Sequence, residues 1–339
     1  MSAEDARIDL LVVGAGPTGI GIGAEARRAG LSVLLVDRGG LCAAIQQYPT
    51  YLEFFTTRDR LEMAGVPFTI PDVKPTRQQA IAYYRGVAQS FQIPLALYED
   101  VRDVVQEDGG FAVHTMRRGG ARVLRARRVA FATGYFDQPW KLGVPGEDLP
   151  WVHSRYFEPY PYFGEDVVIV GAGNTAAEAA LDLWRNGARV TLVHRGTQVR
   201  PGVKYWLKPD IENRIAEGSI PVLFQSTVQE FRAAGTVVVR TPEGVRELSA
   251  RAAFVFIGYR PDADLFRRAG VAIDPVSLIP TFDPATCETN VPGLYIAGTI
   301  QAGRHTDRIF IENSRDHGPR IVAHLQAQLA AEPALAAVR

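Results

Sequence analysis

Cysteine is nearly absent: only Cys42 and Cys287 occur among 339 residues. Two thiols cannot staple a disulfide scaffold, and so sparse a set suits a reducing cytoplasm. A surplus of one charge is missing as well. Lys and Arg number 37, as do Asp and Glu, so no global field favours nucleic acid or an anionic membrane. No apolar run approaches the roughly 18 residues of a membrane span, and Met1–Arg7 has neither the basic nor the apolar region of a signal peptide. No metal site is expected. The expectation is a cytoplasmic chain of ordinary composition, 47% apolar and 22% charged, long enough for two cores and hence two domains.

What is present is a patterned opening. Ile8 to Asp37 reads IDLLVVGAGPTGIGIGAEARRAGLSVLLVD: an apolar run, a glycine-rich turn, an alanine-rich helical stretch and a second apolar run. Gly14, Gly16 and Gly19 stand at G-x-G-x-x-G spacing around Ala15, Pro17 and Thr18. Each glycine answers a separate need: the tight turn, backbone approach of a pyrophosphate, and close helix–strand packing. The helix start offers free N–H groups and a positive dipole end to phosphates. Asp37 closes the second run eighteen residues past Gly19, where an acid binds a ribose 2′-hydroxyl. The pattern is that of a βαβ dinucleotide site.

The pattern recurs about 155 residues later, from Asp166 to Arg195, too far apart for a solenoid period. Gly171, Gly173 and Ala176 give G-x-G-x-x-A, with Asn174 and Thr175 opening the helical stretch. This second copy ends differently. His194 and Arg195 replace the acid, and Arg200 follows. Guanidinium groups bind a 2′-phosphate bidentately where an acid would repel it, so NADPH is expected here in preference to NADH; the plainer alternative is a solvated arginine at a strand end. Two such units indicate a protein that brings two dinucleotides together.

Between and after the two copies the chain is legible in outline. A helical pattern runs from Arg77 to Phe91, and Leu95 to Val129 reads as a third parallel strand followed by an antiparallel meander. Glu158 to Phe163 reads as a connector. More strand candidates lie between Val222 and Tyr259, Leu294 to Ala297 reads as a last buried strand, and a helix carries the C-terminus. The fold class expected is α/β, two doubly wound Rossmann-like domains with one inserted in the other: residues 1–140 and 262–339 against 141–261.

GAGPTG, ATGYFDQP, VGAGNTAAEAA, VFIGYRPD and LYIAGT, taken in that order, resemble the thioredoxin-reductase-like flavoproteins over nearly the whole chain. AIQQYPTYLEFFTT, Tyr160–Phe163 and IFIEN narrow the resemblance to the YpdA-type bacillithiol disulfide reductases. It implies FAD in the discontinuous domain and NADPH in the inserted one. Gly14, Ala15, Gly16, Pro17, Thr18, Gly19 and Asp37 would hold the ADP half of FAD, and Val101 would meet adenine through its backbone. Thr133 and Gly134 would pass beside the flavin nucleotide, and Gly298 and Thr299 would lie near the ribityl chain and flavin phosphate, where Thr299 replaces the Asp of much of the superfamily and only the backbone contact carries over. The start of the last helix, near Phe310, would face the flavin and stabilise negative charge on it.

The departures matter too. There is no C-x-x-C pair, so thioredoxin is not the expected substrate. Thr18 stands where the YpdA-type proteins commonly carry Cys before the third glycine. If a flavin-side cysteine is essential to the family, the protein must use Cys42, pass electrons directly from reduced flavin to the disulfide, or do other chemistry. Cys42 reads either as that thiol or as a small buried hydrophobe; Cys287 reads as inert. His317 reads either as a proton donor to a leaving thiolate or as a helix-capping hydrogen-bonding residue. The expected activity is NADPH-dependent, FAD-mediated reduction of a small thiol disulfide, bacillithiol disulfide, by a cytoplasmic homo-oligomer. A flavin monooxygenase, a ferredoxin- or flavoprotein-type NADPH reductase and a slow NADPH or redox sensor are the alternatives.

Overall fold

The computed structural model describes residues 7–336; Met1 to Ala6, read above as lacking a leader, lie outside the described residues. The chain divides into two compact units. The first comprises residues 1–46, 52–138 and 259–339, the second residues 47–51 and 139–258. The divisions fall at 138/139 and 258/259, and five residues of the early loop join the second unit. Their reason is local: the Thr50 N–H donates to the Phe157 carbonyl at 2.8 Å, and Tyr51 meets Tyr160 edge-on at 6.0 Å.

In the first unit β1 (Ile8–Val13), β2 (Val33–Asp37) and β3 (Leu95–Leu97) are parallel neighbours, as buried apolar runs joined by a helical crossover should be. The strands β4 (Glu99–Glu107), β5 (Gly110–Arg117) and β6 (Gly120–Phe131) form the antiparallel meander. At twelve residues, β6 is long enough to serve two partners in series. Its first half pairs with β5, and Ala126 to Phe131 turn inward to pair with β1. The burial pattern follows this division. Exposed and half-buried residues alternate up to Arg125, whereas Ala130 and Phe131 are buried.

In the second unit β7 (Val152–His153), β8 (Asp166–Val170), β9 (Arg189–Val193), β10 (Val222–Leu223) and β14 (Ala252–Val255) form a parallel sheet in the order β10-β9-β8-β14-β7. A separate antiparallel sheet holds β11 (Thr227–Arg232), β12 (Thr236–Thr241) and β13 (Gly244–Ser249). The last strand, β15 (Leu294–Ile296), returns to the first unit and pairs parallel with β6. Both main sheets therefore repeat a βαβ core, and the fold is α/β with two doubly wound sheets.

The helix expected from Arg77 runs over Arg77–Ser90, and its start is fixed by a reciprocal capping box: Oγ1 of Thr76 accepts the Gln79 N–H at 3.3 Å and Gln79 Oε1 accepts the Thr76 N–H at 2.8 Å. The C-terminal segment differs from expectation. Phe310 caps only a single turn, Ile311–Ser314, and the long helix begins at His317. One turn sums few peptide dipoles, so the charge stabilisation expected at Phe310 is weak. Among the described residues no helix is long and apolar enough to cross a membrane.

Candidate functional site

The first glycine turn is built as its spacing predicts. Gly14 has φ +118°, and a Cβ there would lie 2.4 Å from the Ala132 carbonyl oxygen. A Cβ on Gly19 would lie 2.0 Å from the Gly14 oxygen, so helix Pro17–Arg28 packs on the turn only because that atom is missing. Gly16 is different: nothing stands within 4 Å of where its Cβ would be. That open face lies at the helix start, with Pro17 at the first helical position, where its missing N–H costs nothing.

Asp37 locks the turn to the second strand. Its Oδ2 accepts the Ala15 N–H at 2.7 Å and its Oδ1 accepts the Gly39 N–H at 2.8 Å. The loop behind is tied in as well, since the Cys42 N–H donates to the Ala15 carbonyl at 2.9 Å. Against Gly14 lies Thr133, whose Oγ1 is buried with no hydrogen-bond partner. A buried orphan hydroxyl costs free energy unless something satisfies it. With the open Gly16 face, it is what a polar, phosphate-bearing ligand would complete.

Two further turns reach the same place. Gly298, at the end of β15 with φ +78°, would put a Cβ 3.0 Å from Thr18 Oγ1, and Thr299 Oγ1 lies 4.0 Å from the corresponding point on Gly134. Thr18 Oγ1 is 3.2 Å from Ser314 Oγ. The Gly298 N–H is already spent, donated to His317 Nδ1 at 3.0 Å; what Gly298 leaves the site is space, and Thr299 is the residue left to offer polar groups. Val101 lies in β4, where the register with β5 slips before Asp103. Phe310 is the N-cap residue of the short helix Ile311–Ser314.

The two candidate reactive side chains are both withdrawn. Cys42 has no exposed surface, and burial, then the charge of Asp37, pushes its thiol up. That environment disfavours the thiolate a redox role needs. His317 is buried, and burial lowers its pKa, which keeps the ring neutral at pH 7. Cys287 is also buried, its thiol pushed up chiefly by burial.

The second glycine turn repeats the first. Gly171 has φ +135° and would place a Cβ 2.4 Å from the Phe256 oxygen, while Ala176 Cβ sits 3.6 Å from that same point. Ala176 itself is fully buried against this turn. The loop after β9 folds back over the helix start: the Arg200 N–H donates to the Ala172 carbonyl at 3.1 Å and the Lys204 N–H to Asn174 Oδ1 at 2.9 Å. Arg200 atoms come within 3.9 Å of the Gly173 Cβ point. Thr175 is exposed on the first turn of the helix. Arg195 and Arg200 are exposed, and among the described residues neither is in an ion pair with a carboxylate. His194 beside them is held neutral, its pKa lowered by burial and by both guanidiniums.

Sequence reasoning missed Glu178, two positions past Ala176. Burial, then the charge of Asp182, pushes its carboxyl up to about 7. An acid inside an otherwise alanine-rich helical stretch was the available signal. It also missed Lys204, whose tie to Asn174 crosses thirty positions of sequence.

Paired glycine turns, one closed by an acid and the other by unpaired arginines, define an oxidoreductase that works on two dinucleotides. The chain belongs to the pyridine nucleotide-disulphide oxidoreductase family, which matches residues 11–298, and within it to the Bdr (YpdA) group. It is 37% identical to bacilliredoxin reductase Bdr of Bacillus subtilis, over 93% of this chain and 96% of the relative. The solved bacillithiol disulfide reductase Bdr (YpdA) of Bacillus cereus superposes with a TM-score of 0.92 at 33% identity, covering 95% of this chain and all of that one. The Staphylococcus aureus protein gives 0.89 at 33% identity, over 95% and 99%.

Proposed function

We propose that the protein is an NADPH-consuming FAD enzyme that reduces a low-molecular-weight thiol disulfide, bacillithiol disulfide, with the balance NADPH + H⁺ + RSSR → NADP⁺ + 2 RSH. The observation that carries this reading is the end-to-end likeness to the Bacillus cereus bacillithiol disulfide reductase. The geometry supports it at both nucleotide turns.

FAD supplies hydride acceptance and transfer of the electron pair; the chain supplies the rest. Gly14, Ala15, Gly16, Pro17, Thr18, Gly19 and Asp37 would hold the ADP half, with Val101 at the adenine. Thr133, Gly134, Gly298 and Thr299 would bound the flavin nucleotide, and the orphan Thr133 hydroxyl would gain its partner. Gly171, Gly173, Asn174, Thr175 and Ala176 would seat the pyrophosphate of NADPH, with His194, Arg195 and Arg200 at its 2′-phosphate. Residues 1–140 and 262–339 would be the FAD domain and 141–261 the NADPH domain, adjusted to the divisions at 138/139 and 258/259. A cytoplasmic location and a homo-oligomer complete the reading.

Thr18 and the burial of both cysteines support a route without a protein thiol. The test is anaerobic NADPH oxidation by the FAD-loaded protein, with and without bacillithiol disulfide. Disulfide-dependent turnover is expected; a protein that is reduced by NADPH but never reoxidised by the disulfide would sink the proposal.

A further inference from the structure

We infer that His317 is a positioning residue: as a neutral acceptor for the Gly298 N–H it sets the turn that closes the first dinucleotide site, and it does not deliver a proton to substrate. The inference rests on reading the first unit as the FAD site.

The bond fixes the state of the ring. An amide N–H can only donate, so His317 Nδ1, 3.0 Å from the Gly298 nitrogen, must present its lone pair, and the ring proton sits on Nε2. An imidazolium has no such lone pair, so the contact exists only with the neutral ring. Burial favours the neutral form, while the adjacent charges of Asp316 and Arg320 act in opposite directions.

The position explains what the bond accomplishes. Gly298 adopts φ +78° at the end of β15, directly against Thr18. Thr18 Oγ1 in turn meets Ser314 Oγ at 3.2 Å, and Ser314 Oγ donates to the Ile311 carbonyl at 3.3 Å. His317 opens the last helix three residues beyond Ser314. The imidazole therefore ties the last helix to the β15 turn, while the two hydroxyls tie the helix Pro17–Arg28 to the short helix before it. Without the acceptor, Gly298 would hold a buried N–H with no partner, a cost of the kind that makes a turn relax. Relaxation there would carry Thr299 out of place.

Two variants of the FAD-loaded enzyme test this. In His317→Asn, Oδ1 replaces Nδ1 as acceptor but cannot act as an acid; His317→Leu removes the acceptor. For each, the FAD dissociation constant is read from flavin fluorescence, alongside NADPH turnover with ferricyanide and with bacillithiol disulfide. We expect His317→Leu to weaken FAD binding roughly tenfold, with the KM for NADPH unchanged. His317→Asn should restore FAD affinity and disulfide turnover to within about twofold of the parent. An Asn variant that keeps FAD yet loses disulfide turnover alone would make His317 the proton donor and overturn the inference. A Leu variant with parental FAD affinity would overturn it as well.

Should the Leu variant fail to fold, ¹⁵N spectra of the parent imidazole decide the matter. A bare Nδ1 with a protonated Nε2 is expected; a protonated Nδ1 contradicts it. A parent protein that binds no FAD would defeat the functional reading instead, leaving the spectra to judge His317.

Discussion

The carboxylate of Asp37 accepts the Ala15 N–H at 2.7 Å, joining the end of the second strand to the middle of the glycine turn. The same residue holds the Gly39 N–H at 2.8 Å through its other oxygen. An acid placed so organises its own loop before it meets any ribose. Asp37→Asn keeps the shape but loses the charge and turns one acceptor into a donor. FAD affinity should fall roughly ten- to a hundredfold, measured by flavin release on dilution. Unchanged affinity would remove Asp37 from the site.

Gly14 and Gly16 are two residues apart but should fail in different ways. A methyl at Gly14 meets the Ala132 carbonyl oxygen at 2.4 Å in a backbone conformation side chains rarely adopt, whereas at Gly16 it meets nothing within 4 Å. Gly14→Ala should lower the melting temperature of the apoprotein by several degrees. Gly16→Ala should leave that temperature unchanged and weaken FAD alone, because the methyl fills the space the pyrophosphate needs.

On the proposed reading, the two guanidiniums at the second turn would set the choice of coenzyme. Among the described residues neither Arg195 nor Arg200 has a carboxylate to release before binding a 2′-phosphate. Arg195→Gln or Arg200→Gln should each raise the KM for NADPH roughly tenfold and leave the KM for NADH nearly unchanged. Equal loss with both coenzymes would assign the arginines to the pyrophosphate instead.

Glu178 gives the second unit a pH signature. Its carboxyl is pushed up to about 7 in the fold from a reference value of 4.5, so the folded state binds the proton more tightly than the unfolded chain. The stability this contributes is fully present below pH 4.5 and is lost as pH rises through about 7. Denaturant unfolding should show the wild type losing up to about 3 kcal/mol from this group between pH 4.5 and 8. Glu178→Gln should lack that loss. Parallel curves for the two proteins would show that the carboxylate stays well solvated.

Much of this was legible because the motifs are steric. Glycine at 14, 19 and 171 is demanded by backbone contacts of 2.0–2.4 Å, and such demands are written directly into sequence. The exchange of Asp37 for His194-Arg195 was equally plain, since charge is read without a fold. Burial was not legible: Cys42 and Glu178 owe their shifted pKa values first to burial, and only then to the nearby charges of Asp37 and Asp182. The same holds for residues 47–51, held to the second unit by a bond from Thr50 to Phe157. The true start of the last helix did have a signal, Pro319 in its first turn.

On the proposed reading, disulfide reduction proceeds without a protein thiol. The direct measurement is anaerobic NADPH turnover with bacillithiol disulfide by a Cys42→Ala, Cys287→Ala double variant beside the parent. The structure predicts turnover within about threefold of the parent, since both thiols are buried, their pKa values raised by burial, and their loss trims the core only slightly. A variant that keeps its flavin and accepts hydride from NADPH, yet no longer reduces the disulfide, would contradict the claim and put the redox centre on a cysteine.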